Sequence, residues 1–325
     1  MPDRLKMQPT YLKTFYSGRL QEVADTLSRL LASCFICPRR CRVNRLGNKK
    51  GFCKTGLKAS VYSFLLHHGE EPPISGERGS GTIFFSHCNM GCVYCQNFEF
   101  SQLGQGDREV EPKELAAIML ELQGLGAHNI NLVTPTHVLP QILQALCIAI
   151  PQGLSLPLVY NTSGYEVAEI IKLLDGIVDI YLPDMRYADE EQAVRYSCAP
   201  GYPEYNRQAL KEMHRQVGVV RLNKEGIIEK GVIIRHLVLP KGIAGTEKIM
   251  RFIASELSPH TYISLMSQYF PCYKARSFKE ISRRITPEEY GLAQKAMSDG
   301  GLYNGWVQEG HGLDSFAGIN IKPKH

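Results

Sequence analysis

The chain has 325 residues, a net charge of +5 and a hydrophobic fraction of 44%, which is ordinary for a globular protein with one or two sizeable cores. No stretch is long and apolar enough to predict a membrane-spanning helix, and the first residues lack the apolar core of a signal peptide. We therefore expect a soluble, cytoplasmic protein. In such a chain, ten cysteines favour metal binding over disulfides.

An amphipathic helix is predicted in the N-terminal segment, residues 1–33. Between residues 17 and 33, four apolar side chains recur at helical spacing, namely Leu20, Val23, Leu27 and Leu30. This pattern indicates a helix that packs one face on a core, with a structural role.

A cysteine-rich metal-binding module is predicted at residues 34–60. Four cysteines lie within twenty residues that also contain turn-forming proline and glycine, and they are Cys34, Cys37, Cys41 and Cys53. Four thiolates suffice for a closed site. The spacing matches neither a zinc ribbon nor a full ferredoxin run, so zinc, an auxiliary iron–sulfur cluster and metal-free buried thiols all stay open.

The same region carries the basic character of the chain. From Cys34 to Lys58 there are eight Lys or Arg residues and no Asp or Glu, so this segment contributes +8 and the remainder carries −3. Such a segment suits an acidic electron donor or nucleic acid. A solvated basic loop that partly neutralises metal thiolates is the alternative.

Three further cysteines fall within eight residues, in the sequence Cys-Asn-Met-Gly-Cys-Val-Tyr-Cys that runs from Cys88 to Cys95. Spacings of three and two residues let one loop wrap three thiolates around an iron–sulfur cluster or zinc. No fourth cysteine lies nearby, so a four-iron cluster would keep one iron open, as reactive metal sites do. Zinc completed by His87 or Cys272 is the alternative.

From Thr82 onward, short β-rich runs alternate with helical patterns. Strands are predicted at residues 82–85, 129–133, 157–161, 178–182, 232–239 and 261–266. Six strand–helix units require a parallel sheet with right-handed crossovers, and periodicity alone fits a doubly wound sheet or a partial barrel. The preceding stretch, 61–81, is expected to be a loop, 219–228 a hairpin, and 286–325 a helix and a cap containing Trp306.

The cysteines Cys88, Cys92 and Cys95, with the aromatic Tyr94, resemble the motif of the radical S-adenosylmethionine (SAM) superfamily. The run from Gly79 to Asn97 is similar to the group related to pyruvate formate-lyase activating enzyme, labelled PflX. The resemblance implies one 4Fe–4S cluster with three cysteine ligands, SAM bound at the open iron, and an α/β fold with a partial (β/α)6 barrel at residues 61–285.

The resemblance also implies that an electron from a flavodoxin- or ferredoxin-type donor cleaves SAM to methionine and a 5′-deoxyadenosyl radical. The radical then abstracts hydrogen from a protein or peptide, such as a glycyl radical enzyme. Radical modification of a small molecule is a second hypothesis. A third is a metal-stabilised nucleic-acid-binding protein that uses the basic module, which we favour less.

Ligands of parallel α/β folds bind where strands end. The candidate SAM contacts are therefore Tyr94, Thr134, Thr136, Asn161, Ser163, Asp184, Arg235 and Gln268. The Gly-Gly-Glu motif of many relatives is absent after the second strand, so Thr134 and Thr136 are expected either to accept hydrogen bonds from the SAM ammonium or to cap the next helix. Arg235 is expected to pair with the SAM carboxylate.

Overall fold

A computed structural model describes residues 8–308, in which ten strands form one sheet in the order β10-β9-β8-β6-β5-β4-β2-β1-β3, with β7 paired to β8. The strands are β1 (Ala59–His67), β2 (Ser80–Phe85), β3 (Arg108–Val110), β4 (Ile130–Val133), β5 (Leu158–Thr162), β6 (Ile180–Pro183), β7 (Arg221–Leu222), β8 (Ile228–Leu237), β9 (Tyr262–Met266) and β10 (Gly305–Val307).

The described α-helices cover the sheet or connect its strands. They are α1 (Thr10–Tyr16), α2 (Arg19–Arg29), α3 (Pro72–Ser75), α4 (Phe98–Ser101), α5 (Pro112–Gly124), α6 (Leu139–Ala149), α7 (Ala168–Leu173), α8 (Glu190–Ser197), α9 (Tyr202–Val217), α10 (Thr246–Phe252) and α11 (Pro287–Asp299). Within residues 8–308, no helix is long and apolar enough to cross a membrane.

The centre of the sheet is the parallel set β2, β4, β5, β6, β8 and β9, which correspond to the six predicted strands. Their residues are almost all buried because helices cover the outer face and side chains fill the inner one. In the described part of the chain the edge strands β3 and β10 do not pair with each other, so the sheet stays open. The expected α/β partial barrel is confirmed.

The prediction of a loop at residues 61–81 is wrong for the first part of this range, which belongs to strand β1. Strand β1 pairs antiparallel with β2, and the short β3 pairs antiparallel with β1. The alternation in β1 is imperfect, and its register with β2 shifts between Val61 and Ser63, which hides the strand from a period-two search. The chain after β1 then turns through His67 into the interior, where Glu70 and Glu71 are buried.

The remaining predicted elements are an N-terminal helix, a hairpin and a C-terminal helix with a cap. The predicted N-terminal helix is α2, preceded by the unpredicted α1. The predicted hairpin is formed by β7 and the start of β8. Helix α11 begins at a capping box in which Thr286 and Glu289 bond each other's backbone N–H, and Trp306 lies in β10, parallel to β9. Residues 1–7 and 309–325 of the predicted terminal segments lie outside the described residues.

Gly164, in the loop after β5, provides a test of how tightly the strand ends are packed. Its φ is +74°, and a Cβ there would lie 2.2 Å from the backbone oxygen of Asp184. Gly153 has φ +98° but no atom within 4 Å. We expect Gly164→Ala to lower the free energy of unfolding by about 3 kcal/mol and Gly153→Ala by about 1 kcal/mol, measured by urea denaturation. Equal losses would contradict the close approach of the two strand-end loops.

Candidate functional site

The three cysteines of the 88–95 motif lie in a loop that leaves the carboxyl end of β2. Cys92 is buried and accepts a hydrogen bond from the Ser197 hydroxyl at 2.9 Å. The Cys95 sulfur lies 3.1 Å from the Ser101 hydroxyl, and the backbone N–H of Met90 points at the sulfur of Cys88 at 3.4 Å. Each sulfur therefore has a polar neighbour of the kind that tunes metal-bound thiolates.

The protein environment by itself favours the protonated thiols of Cys88 and Cys95. Burial and the nearby Cys92 raise the pKa of Cys88 to about 12 and that of Cys95 to about 11. A metal centre must displace the protons, so its affinity will rise with pH. The same coupling shows that the thiols are close to one another.

The structure bears on the choice between a cluster and a single zinc ion. Within residues 8–308, no three His, Cys, Asp or Glu side chains surround one ion-sized position, and this holds for Cys34, Cys37, Cys41 and Cys53 as well as for Cys88, Cys92 and Cys95. Of the extra zinc ligands considered from the sequence, the Cys272 sulfur lies 3.2 Å from the backbone oxygen of Tyr94, whereas His87 is bonded at Nε2 by Asp107 at 3.0 Å and has no partner at Nδ1 among the described residues. A cubane places each thiolate on a different iron, and it suits three spaced thiols better than zinc does.

A cavity opens beside the cysteine loop, at the carboxyl ends of the parallel strands. Seven of the eight predicted SAM contacts line it, and these are Tyr94, Thr134, Asn161, Ser163, Asp184, Arg235 and Gln268, together with Cys95. A larger groove of about 1000 Å³ lies between α10 and α11, but no thiol lines it. The thiol-lined cavity is therefore the candidate active site.

Thr136 is the predicted contact that the structure places elsewhere. Its side chain is buried away from the cavity, and its hydroxyl donates to Glu166 Oε1 at 2.5 Å. Thr162 and Tyr160 donate to the same oxygen. The backbone turns into a 3-10 helix between Thr134 and Thr136, so the two hydroxyls diverge and only Thr134 lines the cavity.

Arg235 is held differently from the sequence expectation. Its Nε donates to Glu71 Oε1 at 2.7 Å, its Nη2 bonds both Glu71 and Glu70, and its Nη1 lies 3.4 Å from Asn161 Oδ1. Although burial alone would raise the pKa of Glu71, Arg235 lowers it. Two carboxylates thus already bind this guanidinium, and the group carries one excess negative charge beside the cavity.

Arg186 is a cavity residue that the sequence prediction left out. It forms an ion pair with Asp184, and its Nη1 lies 3.8 Å from the sulfur of Cys92. Burial opposes the charge, but Asp184 and Cys92 keep the Arg186 pKa raised. The sequence could have indicated Arg186, because it lies two residues after Asp184 and side chains two residues apart in extended backbone point to the same face.

Two buried polar atoms in the cavity lack a hydrogen-bond partner within the described residues. They are the Ser163 hydroxyl and Arg186 Nε. Buried polar atoms are nearly always hydrogen-bonded in native proteins. These two donors therefore indicate a ligand that offers hydrogen-bond acceptors. A nucleoside that carries an amino-acid carboxylate fits this donor set.

The cysteine-rich module lies next to this site. Cys34, Cys37 and Cys53 are buried and Cys41 is exposed. Burial raises the pKa of Cys37, and Cys53 and Cys34 raise it further, which shows that these thiols are near neighbours. Arg45 is 1% exposed; its Nη1 lies 3.9 Å from the Cys34 sulfur, and its Nη2 has no partner in the described chain.

Comparisons with known proteins identify the family of the chain. The radical SAM superfamily model matches residues 82–253. The uncharacterized protein MJ0674 of Methanocaldococcus jannaschii is 35% identical over 291 residues, which are 86% of this chain and 78% of that protein. The chain therefore belongs to the radical SAM superfamily, and membership implies a 4Fe–4S cluster and SAM.

Two solved structures resemble the fold. TYW1 with a bound lysine-pyruvate adduct matches with a TM-score of 0.44 and 14% identity, over 71% of this chain and 76% of that one. The radical SAM methyltransferase TsrM of Kitasatospora setae, with tryptophan and a SAM analogue bound, matches with a TM-score of 0.45 and 12% identity, over 70% of this chain and 53% of that one.

Glu166 provides a pH test of the interior next to the cavity. Burial raises its pKa from 4.5 to about 7, so the folded protein binds an extra proton between these values and its stability falls as pH rises through them. Between pH 4.5 and 8, we expect the free energy of unfolding of Glu166→Gln to fall by about 3 kcal/mol less than that of the wild type, measured by urea denaturation. Glu169→Gln, at an exposed position, is the control, and identical pH profiles would contradict the burial of a proton at Glu166.

Proposed function

We propose that this protein reductively cleaves SAM and uses the product radical to abstract hydrogen from a protein or peptide partner. The observation that carries the proposal is a cavity that is lined by Cys95 of the three-cysteine motif and whose buried Ser163 hydroxyl and Arg186 Nε have no partner in the described chain. When bound, the cluster supplies the electron and SAM supplies the radical; the chain's own residues hold and orient them.

In this proposal Cys88, Cys92 and Cys95 ligate the cluster. Arg186 is the cation for the SAM carboxylate, in place of Arg235, because its Nε is free of partners in the described chain while the nitrogens of Arg235 are already bonded. A guanidinium and a carboxylate form a strong charge-assisted pair.

The positive groups of SAM find a negative environment in the same cavity. Glu70 lines it and, with Glu71, leaves an excess negative charge over Arg235. We assign the ammonium to Glu70 and Thr134, which together take the part of the absent Gly-Gly-Glu motif. Asn161 and Ser163 are placed to bond the ribose, and Tyr94 and Gln268 border the remaining wall.

We infer a macromolecular substrate from the open sheet: its edge strands β3 and β10 do not pair with each other among the described residues, and we place the entrance for the substrate in the gap between them. A polypeptide loop can enter such an opening and place one C–H bond beside SAM. Transfer of deuterium from a labelled partner into 5′-deoxyadenosine, with an EPR signal on a glycine, would support an activase. Transfer from a free metabolite alone would favour modification of a small molecule.

We also propose that Cys34, Cys37, Cys41 and Cys53 hold a second metal, zinc or an auxiliary iron–sulfur cluster. A cluster, which places its thiolates on different irons, suits these cysteines better, because no three of them surround one ion-sized position. The support is electrostatic. Arg45 is buried without a carboxylate partner among the described residues, and a buried lone charge is costly. Metal-bound thiolates beside Cys34 would provide the missing negative charge.

The radical chemistry is tested with Cys92→Ala and a matched thiol control, Cys147→Ala, which lies on α6 away from the cavity. After anaerobic reconstitution with iron and sulfide and reduction with dithionite, we expect wild type and Cys147→Ala to convert SAM to 5′-deoxyadenosine. Cys92→Ala should form less than about 1% of this product, because a cubane that loses one of its protein ligands is not held in place. Product formation by Cys92→Ala at the wild-type rate would contradict the proposal.

The second metal is tested by the double variant Cys34→Ser/Cys37→Ser. We expect its total metal content to fall by one zinc or one cluster per chain, measured as iron, sulfide and zinc, while the three-cysteine site keeps its four irons. Cys147→Ala again controls for the loss of a thiol. Unchanged metal content would remove the second metal from the proposal.

A further inference from the structure

The outer surface of the cysteine-rich module, residues 34–58, combines exposed apolar side chains with cations. Phe35 and Phe52 are 43% and 44% exposed, and Leu46 and Leu57 are similarly accessible. This is an unusual density of exposed large apolar side chains for 25 residues, and apolar patches rimmed by polar groups mark interaction sites.

The cations on this surface are only partly neutralised. Lys50 and Lys58 form ion pairs with Glu109 and Glu111. Arg40, Arg42 and Lys49 are exposed, and among residues 8–308 they have no carboxylate partner. Arg40 and Arg42 adopt positive φ angles of 42° and 56°, in a backbone that is fixed by bonds such as Arg42 N–H to the carbonyl of Cys34. The charges are thus presented by an ordered surface.

The module is in direct contact with the loop that carries Cys88, Cys92 and Cys95. Arg39 Nε donates to the backbone oxygen of Asn89 at 2.9 Å, and its guanidinium lies 3.6 Å above the ring of Phe52. The Phe52 ring reaches Gly91, where a Cβ would lie 3.3 Å away. Phe52 therefore touches the cysteine loop with its ring and remains accessible to a partner from outside.

A second connection runs through Lys54. Its ammonium donates to the backbone oxygen of Gln102 at 3.0 Å, and the Gln102 side chain donates to the backbone oxygen of Met90 at 3.2 Å. Met90 lies between Cys88 and Cys92, so the module is connected to the cysteine loop through Lys54 and Gln102 as well as through Arg39 and Phe52.

We propose that this surface docks the electron donor, a small acidic carrier of flavodoxin type; this inference rests on the proposed function. An acidic surface complements Arg40, Arg42 and Lys49, while the planar apolar edge of an exposed flavin suits Phe35 and Phe52. In the encounter the reduced carrier loses one electron and the iron–sulfur centre gains it, and no bond to the module forms or breaks. Opposite charges steer such short-lived encounters.

A protein carrier fits the surface better than nucleic acid does. Nucleic-acid sites track phosphates with cations and stack bases on free aromatic faces. Here one face of Phe52 is covered by Arg39, and Leu46 and Leu57 add aliphatic area that a phosphate backbone would not use.

The test compares two triple variants with the same change in charge. One is Arg40→Glu/Arg42→Glu/Lys49→Glu; the control is Lys13→Glu/Lys113→Glu/Lys224→Glu, at exposed positions outside the module. Binding of an oxidised flavodoxin to the full chain is measured by calorimetry at two salt concentrations. We expect the module variant to raise the Kd at least tenfold at low salt, and the control to change it less than threefold. Thermal unfolding of both variants checks their folding.

A second measurement separates this inference from the proposed function. With dithionite as reductant, both variants should form 5′-deoxyadenosine at the wild-type rate, whereas with reduced flavodoxin only the module variant should lose at least tenfold in rate. Equal Kd values for the two variants would overturn the docking site, and so would preferential binding of RNA that the module variant abolishes. Failure of the wild type with dithionite would overturn the proposed function, while the binding arm would still decide the docking site.

Discussion

The ion pairs between Arg235 and the adjacent Glu70 and Glu71 determine how the interior of the open barrel is organised. Arg235 lies in β8, whereas the two glutamates follow β1, on the other side of the parallel set. The pairs therefore hold the chain after β1 inside the sheet and bring a carboxylate to the cavity. Removing Arg235 would leave two buried carboxylates without a cation, at a cost of about 3–5 kcal/mol.

Two buried arginines, Arg45 and Arg235, and the partly buried Arg186 contact different anionic groups, and the differences indicate which sites need a ligand. Arg235 is bonded by carboxylates, and its charge is fully compensated by the chain. Arg186 has Asp184 and the Cys92 sulfur but keeps Nε unbonded within the described residues. Arg45 donates from Nε to the backbone oxygen of Gly56, and the nearest group that could carry a negative charge in its hydrogen bonds is the sulfur of Cys34. The need for an anion from outside the chain thus increases from Arg235 to Arg186 to Arg45. This order agrees with the proposal that Arg186 binds the SAM carboxylate and that Arg45 lies beside metal-bound thiolates.

The strand pattern allowed the fold and most of the cavity to be predicted, since side chains at the ends of parallel strands must converge. The sequence did not predict side-chain directions within one strand end, where a turn of the backbone can send neighbouring side chains to different places. Thr134 and Thr136 share a strand end, yet the turn between them sends Thr136 to Glu166. Glu70 and Glu71 were visible in the sequence, but β1 was not, because its register shift breaks the alternation. Without that strand, nothing in the sequence placed the pair opposite Arg235.

The two surfaces of the cysteine loop face different neighbours. On one side Cys95 borders the cavity; on the other, Asn89 and Gly91 contact Arg39 and Phe52 of the basic module. In the proposed function, an electron and a substrate would thus approach the same thiolates from separate directions. Because Gly91 has no side chain, Phe52 can pack against the loop backbone, and a larger residue there would separate the module from the thiols.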